Sequence, residues 1–136
     1  INYSKEDFAK KVMEITNGEG VSVVYDGVGK STFDKSIECL KLRGTMVSFG
    51  NASGALDPIV VSKSLQPKGI YFVRPAMMQY LITREEIEEA SNMLFKQISS
   101  GKVKIEIYKK YKLEEVIQAH KDLEGRKIIG PAVIIP

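Results

Sequence analysis

The 136-residue chain has one cysteine, one histidine and no tryptophan. A single cysteine, Cys39, forms no intrachain disulfide and cannot anchor a cysteine-based zinc site, which fits a reducing compartment. His120 has no second histidine with which to share a metal, and no Ser–His–Asp spacing surrounds it, so it reads as a structural or solvent-facing residue. Apolar runs fall short of the ~18 residues that span a bilayer. The opening stretch "INYSKEDF" has no apolar signal-peptide segment. A cytoplasmic protein without a membrane partner is therefore expected. An excess of one charge is lacking too. Lys and Arg total 20 against 17 Asp and Glu, for a net charge of +3. The basic residues stand among acidic ones, which reads as solvated helix faces and disfavours nucleic acid as a partner. The chain opens on Ile1 rather than Met, at what reads as a strand end, so it is expected to be part of something longer.

What is present is an alternation of helical and strand periods. Ser4 with Asp7 reads as a capping box, followed by Phe8, Val12 and Ile15 on one helix face and a stop at Asn17-Gly18. Val21 to Tyr25 is β-branched and apolar, the pattern of a strand covered on both faces. Ser31 opens a second helix with Phe33, Ile37 and Leu40 inward and Gly44 at its end. Thr45 to Phe49 and Ile70 to Val73 read as further strands, the second stopped by Arg74-Pro75. Asn51 to Lys68 is a polar connection with an apolar patch at Ile59-Val60-Val61. Thr83 with Glu86 caps a longer helix carrying Ile87, Ala90, Leu94 and Ile98 as a buried stripe and ending at Gly101. The texture then changes. Val103, Ile105 and Ile107 alternate as in a one-sided strand. "LEEVIQAHKDLEG" reads as a helix with Val116, Ala119 and Leu123 inward and Gly125 as its C′ residue. "PAVIIP" closes as a strand. Strands alternating with helices over residues 1–101 imply βαβ units and a parallel sheet, with ligands at the carboxyl ends of its strands. "DGVG", "FGNASG" and "RPAM" each follow such an end.

These turns carry the candidate chemistry. "DGVGKST" is not a P-loop, because the glycine spacing fails, and Thr32 stands where a dinucleotide fingerprint has its third glycine. Gly27 and Gly29 read equally as a tight strand-to-helix turn. In "FGNASG" small residues allow close approach to the backbone. The Asn51 amide offers donors and an acceptor that match a nicotinamide carboxamide. Arg74 suits either a phosphate or carboxylate or a neighbouring helix end. Arg126, in "GRK", suits a phosphate or simply a helix C-terminus.

"INYSKEDF", "VVYDGVGKSTFDKSIECLKLRGTMVSFGNASG", "FVRPAMMQYLITREE", "ASNMLFKQISSGKVKIEI" and "AHKDLEGRKIIG" occur in this order. Over nearly the whole chain they resemble the zeta-crystallin-like NADPH:quinone oxidoreductases, a zinc-free branch of the medium-chain dehydrogenase/reductases. The resemblance implies an α/β fold: a partial Rossmann-type parallel sheet with flanking helices, plus a C-terminal tail that returns to a GroES-like domain outside this chain. Residues 1–101 then form the later part of the cofactor domain and residues 102–136 the C-terminal segment of the catalytic domain. The implied cofactor is NADPH and the implied partner a small-molecule quinone, reduced without zinc. Tyr3 corresponds to the adenosine end of the cofactor. Phe49, Gly50, Asn51 and Ala52 correspond to the segment on the nicotinamide side, Arg74, Pro75 and Ala76 to the next strand end there, and Arg126 to a cofactor-contacting arginine. No catalytic acid, base or metal ligand is implied. Gly27 departs from the family, where Ser is frequent, which leaves the backbone to make any contact there. The family also implies a homodimer through the edge strand near Ile70–Val73. Two other readings stand beside this one: an enone or enoyl-thioester reductase of the same superfamily, and a non-enzymatic nucleotide- or RNA-binding or lens-type structural role.

Overall fold

The computed structural model describes all of residues 1–136. The chain forms two compact units, Ile1–Tyr80 and Leu81–Pro136. In the first, helix α1 (Phe8–Ile15) precedes strand β1 (Val21–Asp26), helix α2 (Phe33–Cys39) and strand β2 (Leu40–Ser48). A short helix α3 (Val61–Ser64) and a 3-10 turn (Gln66–Lys68) lead to strand β3 (Tyr71–Val73). The three strands lie in the order β1-β2-β3, and both pairings are parallel. This is the α/β parallel arrangement expected from the sequence.

The boundaries differ where side chains outcompete simple spacing. Helix α1 is capped by Asp7, not by Ser4: the Asp7 carboxylate accepts from the Ala9 and Lys10 amides at 3.0 and 3.2 Å. Helix α2 begins after Thr32 rather than at Ser31, and it ends at Cys39 rather than Gly44. The Lys68 ammonium explains the early stop, because it donates to the carbonyls of Ile37, Glu38 and Leu40 at 3.3, 2.7 and 2.6 Å. A cation there satisfies the helix's last acceptors. Strand β2 then starts with a bulge. Val21 pairs with Leu40 but Val23 with Thr45, and Arg43 takes a φ of 59° in between.

Val24, Met46 and Phe72 form one row across the sheet. They face α2, and Phe33, Leu40, Met46 and Ile70 make the buried core there. The Phe33 and Phe72 rings meet edge to face at 6.1 Å. The opposite sheet face is open. Val23 is 41% exposed and Tyr25 73%, so β1 is covered on one face only, not on both.

In the second unit, helix α4 (Arg84–Ser99) has the expected capping box: Thr83 accepts from the Glu86 amide, and Glu86 accepts from that of Thr83. Its expected apolar stripe is not buried here, since Ile87 and Leu94 are 43% and 50% exposed. Residues 103–107 are not a strand, because no neighbouring strand supplies a ladder for them. Strand β4 begins later (Lys109–Lys112) and pairs in parallel with β5 (Ala132–Ile135), helix α5 (Val116–Glu124) forming the crossover. The inward residue of α5 is Asp122, while Leu123 is 61% exposed. Asp122 accepts from Tyr111 Oη at 2.8 Å, Gln118 Nε2 at 2.8 Å and Lys109 Nζ at 3.0 Å. Lys109, then Tyr111 and Gln118, hold its carboxyl far below the ordinary range. The left-handed residue after α5 is Arg126, with φ 55°, not Gly125. That geometry lets the Lys127 N–H reach the Asp122 carbonyl at 2.9 Å. No helix is long and apolar enough to cross a membrane.

Candidate functional site

Parallel pairing brings the carboxyl ends of β1, β2 and β3 to one edge of the sheet. The loop after β1 is organised by Asp26, which is 4% exposed. Its Oδ1 accepts from the Val28 and Gly29 amides at 2.8 and 2.9 Å and from Thr32 Oγ1 at 3.0 Å, and its Oδ2 accepts from Ser36 Oγ at 2.8 Å. Burial alone would push the Asp26 carboxyl up. The Gly29 N–H, the Ser36 and Thr32 hydroxyls and the Val28 N–H outweigh it and hold the group below its ordinary value. Thr32, which stands at a fingerprint glycine's place, thus works as a hydroxyl donor. This network was not read from the sequence. Its signal is Asp at the strand end, with hydroxyl residues six and ten positions on.

The loop after β2 is laced onto the first loop. Phe49 N–H and Gly50 N–H donate to the Asp26 carbonyl at 3.0 and 3.3 Å, Ala52 N–H to the Gly27 carbonyl at 3.4 Å, and Ser53 N–H to the Val28 carbonyl at 2.7 Å. Ser53 Oγ also donates to the Val28 carbonyl and accepts from the Ser31 amide, at 2.7 and 2.9 Å. A Cβ on Gly50 would lie 2.2 Å from the Gly27 carbonyl oxygen, so two backbones cross there and only glycine fits. At Gly29, φ is 89° and the Gly54 carbonyl stands 2.9 Å from an ideal Cβ, so glycine is demanded twice over.

Of the residues singled out by sequence, Phe49, Gly50, Asn51 and Ala52 form this second loop, with Asn51 and Ala52 exposed. Arg74 leaves the end of β3 and donates through Nη1 to the Ser48 carbonyl at 2.5 Å, which ties the third loop to the second. Pro75 and Ala76 follow it. Tyr3 packs edge to face on Phe8, with ring centroids 6.5 Å apart. It lines a cleft of about 310 Å³ with Phe8, Tyr25, Gly27 and Val28 at the end of β1. Eight of the nine candidate residues therefore lie in the first unit. Arg126 lies in the second, exposed, in the turn after α5.

A family model described as zinc-binding dehydrogenase matches residues 1–134. The 2-haloacrylate reductase of a Burkholderia species is 45% identical over 137 aligned positions, which cover 100% of this chain and 41% of that protein. Quinone oxidoreductase 1 of Escherichia coli K12 is 44% identical, with 100% of this chain and 42% of that protein covered. The crystal structure of Escherichia coli quinone oxidoreductase complexed with NADPH superimposes with a TM-score of 0.91, over 100% of this chain and 42% of that one. The chain thus spans about two fifths of the length of these relatives. Zinc, which the family's description names, has no ligand set here: no three His, Cys, Asp or Glu side chains come together to hold a metal. Cys39 is buried, and burial pushes its thiol up.

Proposed function

The chain belongs to the zinc-binding dehydrogenase family, and from that premise we propose that it forms the nicotinamide-side wall of an NADPH-dependent reductase acting on quinones. The observation that carries this reading is the pair of loops at the carboxyl edge of a parallel sheet, cross-laced through their backbones, with Asn51 and Ala52 exposed at the tip. A bound dihydronicotinamide would sit against such an edge. The residues present fit that group. Asn51 and Ala52 are exposed where the second loop passes the sheet edge, and the small Ala52 side chain leaves the backbone there open to close approach.

When bound, NADPH supplies the reducing equivalents, and the protein supplies position and shelter from water. The Asn51 amide matches the donors and acceptor of the nicotinamide carboxamide. The half-exposed Phe49 ring contributes an apolar wall that excludes water. Arg74 is held through the Ser48 carbonyl and retains further guanidinium donors for a polar group of the ligand, beside Pro75 and Ala76. Tyr3 contributes to the adenosine end. None of these side chains has to act as acid or base, and no step passes through a metal. Homodimer formation through β3 belongs to the same reading. That strand stands at the sheet edge with Tyr71 and Val73 exposed, and an open apolar edge calls for a partner.

A second reading has its own support. The Burkholderia relative is a 2-haloacrylate reductase, so an activated alkene is the competing acceptor. Steady-state NADPH oxidation by the full-length gene product, offered quinones and 2-haloacrylates in parallel, decides between them. The quinone reading expects a higher kcat/KM with quinones, and the reverse order replaces it. Asn51→Ala is expected to raise KM for NADPH by roughly three- to tenfold, the worth of one net hydrogen bond. Unchanged kinetics would remove Asn51 from the site.

A further inference from the structure

Gly27 and Gly50 stand against each other across the two loops, but they are glycines for different reasons. At Gly50 the obstacle is backbone. At Gly27 the backbone itself demands nothing, because φ there is outside the left-handed region that favours glycine. The atoms nearest to an ideal Cβ on Gly27 belong to one side chain. The Phe49 ring places Cζ at 2.9 Å, Cε2 at 3.1 Å and Cε1 at 3.7 Å, and no other residue supplies one of the three nearest atoms. The ring therefore lies against the bare Cα of Gly27. Its own backbone cannot follow it away, since Phe49 N–H and Gly50 N–H are both bonded to the Asp26 carbonyl. A methyl group at position 27 is accommodated by turning the ring about its χ angles. The ring is 54% exposed, so turning it costs little burial but moves an apolar surface at the sheet edge.

We propose that Gly27 is a positioning residue: its lack of a side chain seats the Phe49 ring, and the seated ring sets how a planar ring such as a dihydronicotinamide fits at this edge. The inference rests on the reading of the site given above and adds a specificity determinant to it. Position 27 acts through Phe49 rather than by touching the ligand, and its size selects between two ring orientations. The cleft on the β1 side, lined by Tyr3, Tyr25, Gly27 and Val28, adjoins the same Cα. A displaced ring therefore changes the wall between cleft and loop.

The test is a double-mutant cycle in the full-length gene product with NADPH and the better of the two acceptors. Gly27→Ala is expected to raise KM for NADPH by roughly two- to tenfold, the range of one aromatic contact. Its melting temperature should hold, because only a flexible ring end has to move. Phe49→Ala is expected to raise KM similarly. The double variant is expected to be no worse than Phe49→Ala alone, since the methyl then meets nothing. A second readout does not involve turnover: the Gly27 α-proton resonances, shifted by the overlying ring, should move in Phe49→Leu. Additive effects in the cycle, an unchanged KM in Gly27→Ala, or α-proton shifts indifferent to Phe49→Leu would each overturn the inference while leaving the reductase reading in place. A wild-type protein that oxidises NADPH with neither acceptor overturns the reductase reading, and this inference with it.

Discussion

Asp26 is the residue on which the candidate site is hung. Its carboxylate is enclosed and accepts from two amides and two hydroxyls, so removing its charge leaves donors that water does not reach. Asp26→Asn should cost about 1–3 kcal/mol, the penalty of buried donors losing a partner, measured as a lower urea midpoint at pH 7. The pH dependence has a definite sign. The folded carboxyl titrates below its ordinary value of 3.8. Its contribution is therefore complete above that value and drains away as pH falls through the lower folded one. Asp7, Glu86 and Asp122 are lowered as well, so Asp26→Asn should shrink the acid limb of the stability profile rather than abolish it. An acid limb identical to wild type would disprove the assignment. Little of this was legible beforehand. The turn at Asp26-Gly27 follows from its dipeptide, but the choice of Thr32 and Ser36 as donors depends on how α2 is laid over the sheet. Spacing does not encode that. The Phe49 ring on Gly27 is hidden for the same reason, being a contact across 22 positions of chain.

Among the elements, those with a local chemical signature were readable and those that depend on neighbours were not. The Thr83–Glu86 capping box needs only its own four residues, and it forms as expected. Thr83→Ala should lower the stability of α4 by about 1 kcal/mol, read as a loss of helical ellipticity on heating. No change would mean that the helix start is held by other contacts. Ser4 carried a similar signature and lost to Asp7, because the carboxylate takes two amides at once. Helix α2 ends five residues before Gly44, since Lys68, 28 positions beyond Leu40, satisfies its last carbonyls. No window centred on α2 contains that lysine. The alternation at Val103, Ile105 and Ile107 is a true strand period, but a strand is defined by its ladder, and the ladder here belongs to Lys109–Lys112 and Ala132–Ile135.

At the scale of the whole molecule, the apolar pattern exceeds what the chain can bury by itself. In the first unit, Val23 and Tyr71 flank Thr45 in one row, and Tyr25 and Val73 flank Val47 in the next. The outer members of both rows are exposed, Tyr25 at 73% and Tyr71 at 64%. A sheet face of this kind drives association when nothing covers it. The 136-residue chain, made alone, should therefore self-associate in a concentration-dependent way, seen as a rising weight-average mass in sedimentation equilibrium. Three surfaces compete to explain such association: the open face, the β3 edge and the β1 edge, since β1 also ends the three-stranded order. Tyr25 separates the β3 edge from the other two, because it lies on the open face of β1, at the opposite side of the sheet from β3. Tyr25→Lys places a charge on the face and leaves the β3 edge intact. If the face or the β1 edge drives association, the mass falls toward that of the 15.2 kDa monomer. If edge pairing through Tyr71–Val73 drives it, the mass stays as in wild type, and the edge then carries the assembly proposed for the intact protein.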